Sequence, residues 1–317
     1  PEWRQQIAAM PALFHLEYHD FSQQSAEDAT QALLQVCQQL QRSFSFSLDQ
    51  ELYRLACFKL GADSYRLFIC FHHFIADGRA LAVLMDDFER IYRLRYQQAE
   101  VILPQQNYRL HDWHQRIASF VANELPTQLP YWQQQLRLAT EFRLPATVQR
   151  ATARQAIDLT AEVCWLDPAL VQQLQKFCQR YQVEMTDVGS YALGHALSPL
   201  SRSQSLWADL VLHGRHQLFS DVEIPDLFGQ ISEYGSVFLQ WDPRVATSQA
   251  IQGCADLRRA APNAGIGLKA LRYLSSQHAT FDSRAQPKVL INFDLANYQG
   301  RADSWRQLAP EESGDSA

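Results

Sequence analysis

The sequence predicts a mixed α/β protein with two halves, and three features of the chain lead to this class. Short runs rich in β-branched and aromatic residues alternate with longer stretches whose apolar residues recur every three or four positions, as in amphipathic helices. The 317 residues are enough for about two domains with their own cores. Apolar residues make up 47% of the chain and charged residues 20%, as in globular proteins.

The first half predicts a helix, a pair of strands and further helices in that order. Apolar spacing between Asp28 and Phe44 predicts a helix with a glutamine-rich outer face. The runs Leu52–Leu60 and Tyr65–His72 predict a β-hairpin, because Gly61-Ala62-Asp63-Ser64 between them favours a turn. The second strand is apolar on both faces, so we expect it to be central in its sheet. A loop to Gly78 and helices at about 81–92, 111–124 and 127–139 follow.

A polar segment separates the second half from the first. Pro145 and the run from Thr147 to Arg154 predict a boundary between two domains, residues 1–146 and 147–317. Beyond it, Asp167 and Thr186 are expected to cap two helices, and Pro199 to end the second of them. The remaining strands are predicted at Ala156–Trp165, Leu206–Leu212, Ser236–Trp241 and Val289–Asp294, and the remaining helices at about 248–260 and 267–276.

Charge and cysteine content exclude several classes of protein. The net charge is −6 and the positive charges are scattered, which argues against a nucleic-acid partner. Uninterrupted apolar runs such as Leu67–Phe71 are far too short to span a membrane. The six cysteines are widely spaced and include no C-x-x-C pair, so we expect a reducing, cytoplasmic location. They are Cys37, Cys57, Cys70, Cys164, Cys178 and Cys254.

The most informative segment is Phe71-His72-His73-Phe74-Ile75-Ala76-Asp77-Gly78, in which two histidines leave an apolar strand. Neighbouring side chains of a strand point to opposite faces, so only one histidine can face a cleft. An imidazole with a pKa near 6.5 exchanges protons at neutral pH, which makes that histidine a candidate general base. Asp77 is expected to fix the loop by accepting backbone N–H groups or by pairing with an arginine, and Gly78 to permit the turn.

This segment resembles the H-H-x-x-x-D-G signature of the condensation and epimerization domains of nonribosomal peptide synthetases, relatives of chloramphenicol acetyltransferase. Two later segments are similar to the epimerization branch in particular. The residues from Asp209 to Phe219 resemble D-L-E-G-H-G-R-E-x-L-F. Ala261–Gly267 with Leu271–Leu274 resemble P-x-x-G-I-G followed by L-R-Y-L. The resemblance extends over nearly the whole chain.

The resemblance implies two acetyltransferase-like lobes in a V-shaped arrangement, with a tunnel between them. A 4′-phosphopantetheine arm on a peptidyl carrier protein would enter this tunnel with an aminoacyl or peptidyl thioester, and neighbouring synthetase modules would be further partners. His73 would face the tunnel as the base that removes the Cα proton, while His72 would be packed inside. The resemblance also places further residues in the tunnel or in second-lobe motifs, namely Val211, His213, Gly214, Arg215 and Ser232.

The sequence departs from the family pattern at the acid that would return the proton. Val211 stands at the position of the glutamate in E-G-H-G-R and Leu212 at the following glycine, and neither side chain transfers a proton. Glu233, at a neighbouring motif position, is a candidate replacement acid. The resemblance also implies that an N-terminal segment, the last part of the second lobe and an upstream arginine partner for Asp77 are absent, so we expect a fragment with two incomplete lobes.

Three functions therefore stay open at the level of the sequence. The first is an epimerase that inverts Cα of a carrier-bound thioester. The second is an amide- or ester-forming acyltransferase, which needs no opposing acid, and the third is a noncatalytic docking domain for a carrier or a tailoring enzyme. No metal is expected, because His213 and His216 have no third ligand at a usual interval. No nucleotide cofactor is expected either, because Gly265-x-Gly267-x-x-Ala270 follows a predicted helix rather than a strand.

Overall fold

The structure, a computed structural model, describes residues 14–45, 51–102, 108–139, 142–145, 166–215, 218–222, 224–275 and 287–293. The chain divides into two compact units, one containing the residues up to Ala76 and the other running from Asp77 to Ala296. The domain boundary predicted between residues 146 and 147 borders a stretch outside the described residues and stays a prediction. The strand predicted at Ala156–Trp165 also lies outside them.

The first unit is a three-stranded sheet packed against one helix. Its strands are β1 (Glu17–Asp20), β2 (Tyr53–Lys59) and β3 (Tyr65–Phe71), and its helix is α1 (Ala26–Arg42). β1 pairs in parallel with β2, and β2 pairs antiparallel with β3, which confirms the predicted hairpin. The Oγ atom of Ser25 caps α1 by accepting the backbone N–H of Asp28. The core joins one stripe of α1 to one face of the sheet and contains Leu33, Cys37, Leu40, Ala56, Phe58 and Phe68.

The prediction that β3 is a central strand is wrong for the described sheet. The strand order is β1-β2-β3, so β2 lies in the middle and β3 at an edge. Phe68 is buried towards α1, whereas Leu67 on the opposite face is 43% exposed. Apolar residues on both faces of a strand predicted two covered faces, but among the described residues α1 covers one face of this sheet.

The second unit combines a second three-stranded sheet with most of the helices. β4 (Ser205–Leu212) lies in the middle, antiparallel to β5 (Glu233–Gln240) and parallel to β6 (Val289–Ile291). The helices before the sheet are α2 (Gly78–Tyr96), α3 (Leu110–Ser119), α4 (Leu129–Ala139), α5 (Pro168–Tyr181) and α6 (Met185–Ser201). A π turn (Phe120–Glu124) and a 3₁₀ turn (Leu125–Gln128) join α3 to α4. After β5 come α7 (Thr247–Ala260), a 3₁₀ turn (Pro262–Gly265) and α8 (Gly267–Tyr273).

Two large apolar cores and a smaller one around Val183, Ile251 and Ala255 stabilise this unit. One lies between the sheet and α7 and includes Leu206, Ala208, Leu210, Val237, Leu239, Ala250 and Cys254. The other joins α3, α4 and α8 to the segment that connects β4 with β5, and includes Trp113, Phe120, Trp132, Phe219, Leu227, Ile231 and Leu271. This second core fixes the connecting segment, which supplies most of the hydrogen-bond donors of the site described below.

Helix ends in the second unit differ from the sequence predictions in two places. Asp167 caps α5 as predicted, but Thr186 is not the cap of α6, which begins after Glu184 in a capping box with Asp187. Pro199 does not end α6, which continues to Ser201. A proline at this position removes one backbone hydrogen bond, and its ring crowds the carbonyl four residues earlier, so tertiary packing has to offset this cost for the last turn of α6 to form.

Two further features, the apolar character of the helices and the state of the cysteines, are seen directly in the described residues. None of their helices combines the length and the apolar character of a transmembrane segment. Cys37, Cys57, Cys70, Cys178 and Cys254 are all free thiols.

We expect Gly194→Ala to destabilise the protein by about 1–3 kcal/mol, the usual cost of overpacking a core. A methyl group on Gly194 of α6 would lie 2.7 Å from the indole of Trp241 and 3.2 Å from Cβ of Leu206. The matched control is Gly253→Ala in α7, where no atom lies within 4 Å. This control should stabilise the helix by roughly 0.5–1 kcal/mol. Chemical denaturation of both variants measures the difference, and an equal effect of the two substitutions would contradict the packing.

Candidate functional site

The two histidines of the motif have different surroundings. His72 continues the hairpin, because its backbone N–H donates to the carbonyl of Leu52 at 2.9 Å. Its Nδ1 atom accepts the backbone N–H of Phe74 at 3.1 Å, and its half-buried ring makes edge contacts with Phe74 and Phe44. His73 begins the turn that follows, and its side chain is exposed. The structure therefore presents His73 to solvent and packs His72, while the tunnel that His73 is expected to face stays a prediction.

Asp77 ends the loop and anchors it to three other parts of the second unit. Its Oδ1 atom accepts the backbone N–H of Ala80 at 2.8 Å and so caps α2. Its Oδ2 atom accepts Nη1–H of Arg215 at 2.9 Å and the backbone N–H groups of Ile231 and Ser232 at 2.9 Å each. The hydroxyl of Ser232 adds a further bond at 3.0 Å. The prediction that Asp77 accepts backbone N–H groups or pairs with an arginine is confirmed, since it does both.

The charge of Asp77 is stabilised although the residue is only 4% exposed. Burial by itself raises the pKa of the carboxyl group, but the hydrogen bonds from Arg215, Ile231 and Ala80 outweigh it and hold the pKa at about 2. Asp77 is therefore ionised at neutral pH.

Arg215 is the cation that the sequence did not identify as the partner of Asp77. Its side chain is fully buried. Its other hydrogen bonds all go to backbone carbonyl oxygens. Nη1 donates to His213 at 2.9 Å, Nε and Nη2 donate to Leu227 at 3.2 and 3.0 Å, and Nη2 donates to Gly229 at 3.2 Å. The arginine that pairs with Asp77 in the structure is therefore a residue downstream of it. The two positions are 138 residues apart, and no local pattern in the sequence connects them.

The two motif glycines have unequal structural roles. Gly214 has a φ of +72°, and a Cβ there would lie 2.1 Å from the carbonyl oxygen of Ile231. It therefore permits both a left-handed turn after β4 and a close approach to the segment that binds Asp77. Gly78 is the first residue of α2, where its helical backbone is one that other residues also adopt. His213 lies exposed beside Gly214, and its Nδ1 atom accepts the backbone N–H of Arg215 at 3.3 Å.

The pairing of β4 with β5 shows where Val211, at the position expected for the acid, lies relative to Glu233, the candidate replacement. Val211 lies directly opposite Tyr234, and Leu212 lies opposite Glu233. Because neighbouring residues of a strand face opposite sides, the side chain of Glu233 projects from the sheet face opposite to that of Val211. Glu233 is half-buried, and burial raises its pKa to about 7. Within the described part of the chain, its carboxylate has no hydrogen-bond or ion-pair partner.

Some residues named in the predictions lie outside the described residues. His216 lies outside the described residues, and so does Asp294, the last residue of the strand predicted at Val289–Asp294. The described residues contain no group of three or more histidine, cysteine, aspartate or glutamate side chains placed to hold a metal ion.

A two-histidine loop fixed by a buried Asp–Arg pair in a mixed α/β fold defines a protein of the chloramphenicol-acetyltransferase-like class. The chain belongs to the condensation-domain family, because the family model described as "Condensation domain" matches residues 2–315. This superfamily includes the condensation and epimerization domains of nonribosomal peptide synthetases.

Two curated relatives from Brevibacillus parabrevis are large synthetases. A component of linear gramicidin synthase is 28% identical over 330 residues, covering 98% of this chain and 6% of that protein. Tyrocidine synthase 1 is 25% identical over 283 residues, covering 87% of this chain and 26% of that protein. The chain therefore spans only a small part of the length of these relatives.

Solved structures of both branches share the fold. The epimerization domain from the third module of tyrocidine synthetase B has a TM-score of 0.67 at 21% identity, covering 87% of this chain and 63% of that one. The first condensation domain of the calcium-dependent antibiotic synthetase has a TM-score of 0.62 at 16% identity, covering 88% and 61%. The mixed α/β class predicted from the sequence is confirmed.

We expect Asp77→Asn to destabilise the protein by roughly 3–5 kcal/mol, because it leaves the buried charge of Arg215 without its counter-ion. The matched control is Asp242→Asn, which removes a solvent-exposed ion pair with Arg244 and should leave the unfolding midpoint nearly unchanged. Because the pKa of Asp77 is lowered from 3.8 to about 2, its contribution should be complete above pH 4 and disappear as the pH falls towards 2. Denaturant unfolding from pH 7 to pH 2 tests both points, and equal losses in the two variants would contradict them.

We expect the opposite pH dependence at Glu233. Its pKa is raised from 4.5 to about 7, so the folded state binds its proton more tightly than the unfolded state, and stability falls as the pH rises from 4.5 to 7. At 1.36 kcal/mol per pKa unit, reduced for partial solvent access, the loss should be roughly 1–2 kcal/mol. Glu233→Gln should remove this loss between pH 5 and pH 8.5, whereas Glu100→Gln, at an exposed position, should not. Superimposable pH profiles for all three proteins would argue against the burial of Glu233.

Proposed function

We propose that this domain acts in a nonribosomal peptide synthetase on an aminoacyl or peptidyl thioester, held on the 4′-phosphopantetheine arm of a peptidyl carrier protein. The observation that carries the proposal is the loop that exposes His73 and is anchored four residues later by Asp77, with five hydrogen bonds to its carboxylate. Membership of the condensation-domain family and the large synthetases among the relatives support it. A cytoplasmic location and neighbouring synthetase modules as partners belong to the same proposal.

The proposed reaction is inversion at Cα of the tethered acyl group. The imidazole of His73 takes the Cα proton, and the electrons of the broken C–H bond move onto the thioester carbonyl as an enolate. Donors aimed at that oxygen lower the barrier. Return of a proton to the opposite face of Cα gives the inverted thioester, and solvent then restores the protonation states. Glu233 as the acid for this last step stays a prediction; with a pKa of about 7, its neutral form is populated at neutral pH.

Val211 and Leu212 favour a second candidate, amide or ester formation. Neither side chain carries a transferable proton, and a condensation reaction requires none at this position. In that reaction His73 would orient or deprotonate an incoming amine or hydroxyl group, which attacks the thioester carbonyl and displaces the pantetheine thiol. A noncatalytic docking domain for the carrier is the third alternative, and it requires no chemistry from His73.

The test is Cα hydrogen exchange in deuterated buffer. A carrier protein loaded with an L-aminoacyl-pantetheine is incubated with the intact protein, and Cα deuterium and the D:L ratio are measured by mass spectrometry and chiral chromatography. His73→Ala should lower the exchange rate by about 10²–10⁴-fold, the usual contribution of general-base catalysis. His114→Ala, which removes an exposed histidine of α3, serves as the control and should leave the rate unchanged.

Each outcome selects one function. Deuterium with inversion supports the epimerase, and deuterium without inversion indicates a base that lacks its opposing acid. Product formed only after addition of an amine or alcohol acceptor supports the acyltransferase. If His73→Ala changes no signal in any of these reactions, both catalytic proposals fail and docking remains.

A further inference from the structure

Polar side chains from three elements of the second unit meet on one face of its sheet. Asp209 of β4 and Ser236 of β5 are buried and lie directly opposite each other, so their side chains project to the same side. Oδ1 of Asp209 accepts the hydroxyl hydrogen of Ser236 at 2.6 Å, and Oδ2 lies 2.6 Å from Nζ of Lys269 in α8. The carboxylate therefore holds the ammonium of Lys269 in a fixed position beside this face.

The ammonium of Lys269 keeps donors for a ligand. An ammonium has three N–H donors, and the contact with one carboxylate oxygen of Asp209 uses one of them. The side chain of Lys269 is 21% exposed, and within the described part of the chain no second acceptor binds its Nζ atom. A charged amine that is held by a buried carboxylate and still reaches solvent can donate a strong hydrogen bond to an acceptor from outside.

The sheet face beyond this ion pair is accessible at several apolar residues. Because side chains alternate along a strand, Val211 of β4 and Tyr234 of β5 lie on the face that carries Asp209. Leu290 of β6 pairs with Asp209 and extends this face to the third strand. Tyr234 and Leu290 are exposed, and Val211 is half-buried. A ligand held by Lys269 would therefore have apolar surface beside its polar contact.

The turn before α8 fixes the backbone from which Lys269 projects. Asn263, Ala264 and Gly265 all have positive φ angles, of +46°, +54° and +92°. A Cβ on Gly265 would lie 2.7 Å from the carbonyl oxygen of Ser236, so the turn is in direct contact with β5. Residues other than glycine rarely adopt such angles, and they keep them only where the surrounding structure enforces them. The start of α8 is therefore positioned before any ligand binds, which reduces the entropic cost of binding.

We propose that Lys269 binds an amide carbonyl oxygen of the carrier-bound acyl chain, and thereby favours peptidyl and other N-acylated thioesters over acyl groups that lack this carbonyl. The inference rests on the proposed function for the identity of the ligand, whereas the binding groups all belong to the second unit. A neutral acceptor suits the site better than an anion, because the negative charge of Asp209 beside the ammonium would repel an anion bound there. Tyr234 and Val211 would contact apolar side chains of the same peptide.

The test compares the binding of two pantetheine thioesters by calorimetric titration. N-acetylalanyl-pantetheine carries the amide carbonyl, whereas 2-methylpentanoyl-pantetheine has the same chain length with methylene groups in place of the amide. We expect the native protein to bind the first about tenfold more tightly or better, the usual effect of a hydrogen bond to a charged group. Lys269→Met should abolish this preference, whereas Lys176→Met, at an exposed position of α5, should keep it.

A double variant and a chemical measurement keep the test independent of folding defects. Lys269→Met leaves the buried carboxylate of Asp209 without a cation, so the double variant Asp209→Asn/Lys269→Met removes both charges and should lose the preference to the same extent. In the native protein, N-acetylalanyl-pantetheine should slow the acetylation of Lys269 by acetic anhydride several-fold, while Lys176 reacts at an unchanged rate. Mass spectrometry of the digested protein measures both rates.

Several outcomes would overturn the site. They are absent or equal binding of the two thioesters by the native protein, an unchanged preference in Lys269→Met, and acetylation of Lys269 that the ligand does not slow. An equal fall in affinity for both thioesters in the folded variants would also overturn it, because that result indicates a purely structural ion pair.

Failure of the proposed function gives a different result. Binding of the two thioesters needs no turnover. If carrier-bound thioesters show no His73-dependent exchange or acyl transfer, but the preference for N-acetylalanyl-pantetheine depends on Lys269, the catalytic function fails and the carbonyl site is supported. If exchange depends on His73 and the two thioesters bind equally, the carbonyl site fails and the catalytic function is supported.

Discussion

The buried ion pair between Asp77 and Arg215 determines how the rest of the site is arranged. Asp77 caps α2 and also accepts the backbone N–H groups that immediately precede β5. Arg215, just beyond β4, directs its other donors to carbonyls of the segment between β4 and β5. Because both ions are desolvated, each bond is needed, and loss of either partner leaves a buried charge. The pair therefore fixes the end of the histidine loop, the turn after β4 and the start of β5 as one arrangement.

The strand register fixed beside this ion pair decides which side chains are available for chemistry. Val211 and Glu233 lie in neighbouring strands and close to each other in the pairing, yet they project from opposite faces of the sheet. A carboxylate that is a natural replacement acid when only the sequence is considered thus occupies a different environment, bordered by leucines and raised in pKa by burial.

Local sequence signals predicted the elements well where one short-range interaction dominates. The hairpin formed by β2 and β3, the cap of α5 at Asp167 and strand β4 all agree with the predictions. The predictions failed where tertiary packing decides. Pro199 lies inside the last turn of α6, and β3 lies at an edge of the described three-stranded sheet, because only β2 pairs with it there. Nor does periodicity reveal which arginine meets Asp77, since the two residues are 138 positions apart.

The sequence by itself determined the fold class, the identity of the histidine loop and the absence of a carboxylate at position 211, because each of these depends on residue types at short spacing. It also determined that Asp77 would be an anchor, since a carboxylate at a helix start accepts backbone N–H groups. Only the tertiary structure decided that Arg215 is its partner, that Gly214 must be left-handed, and that Glu233 lies among apolar groups with no cation from the described chain beside it. These facts depend on which distant segments pack together, and burial and strand register, which set charge and pKa, exist only after that packing has occurred.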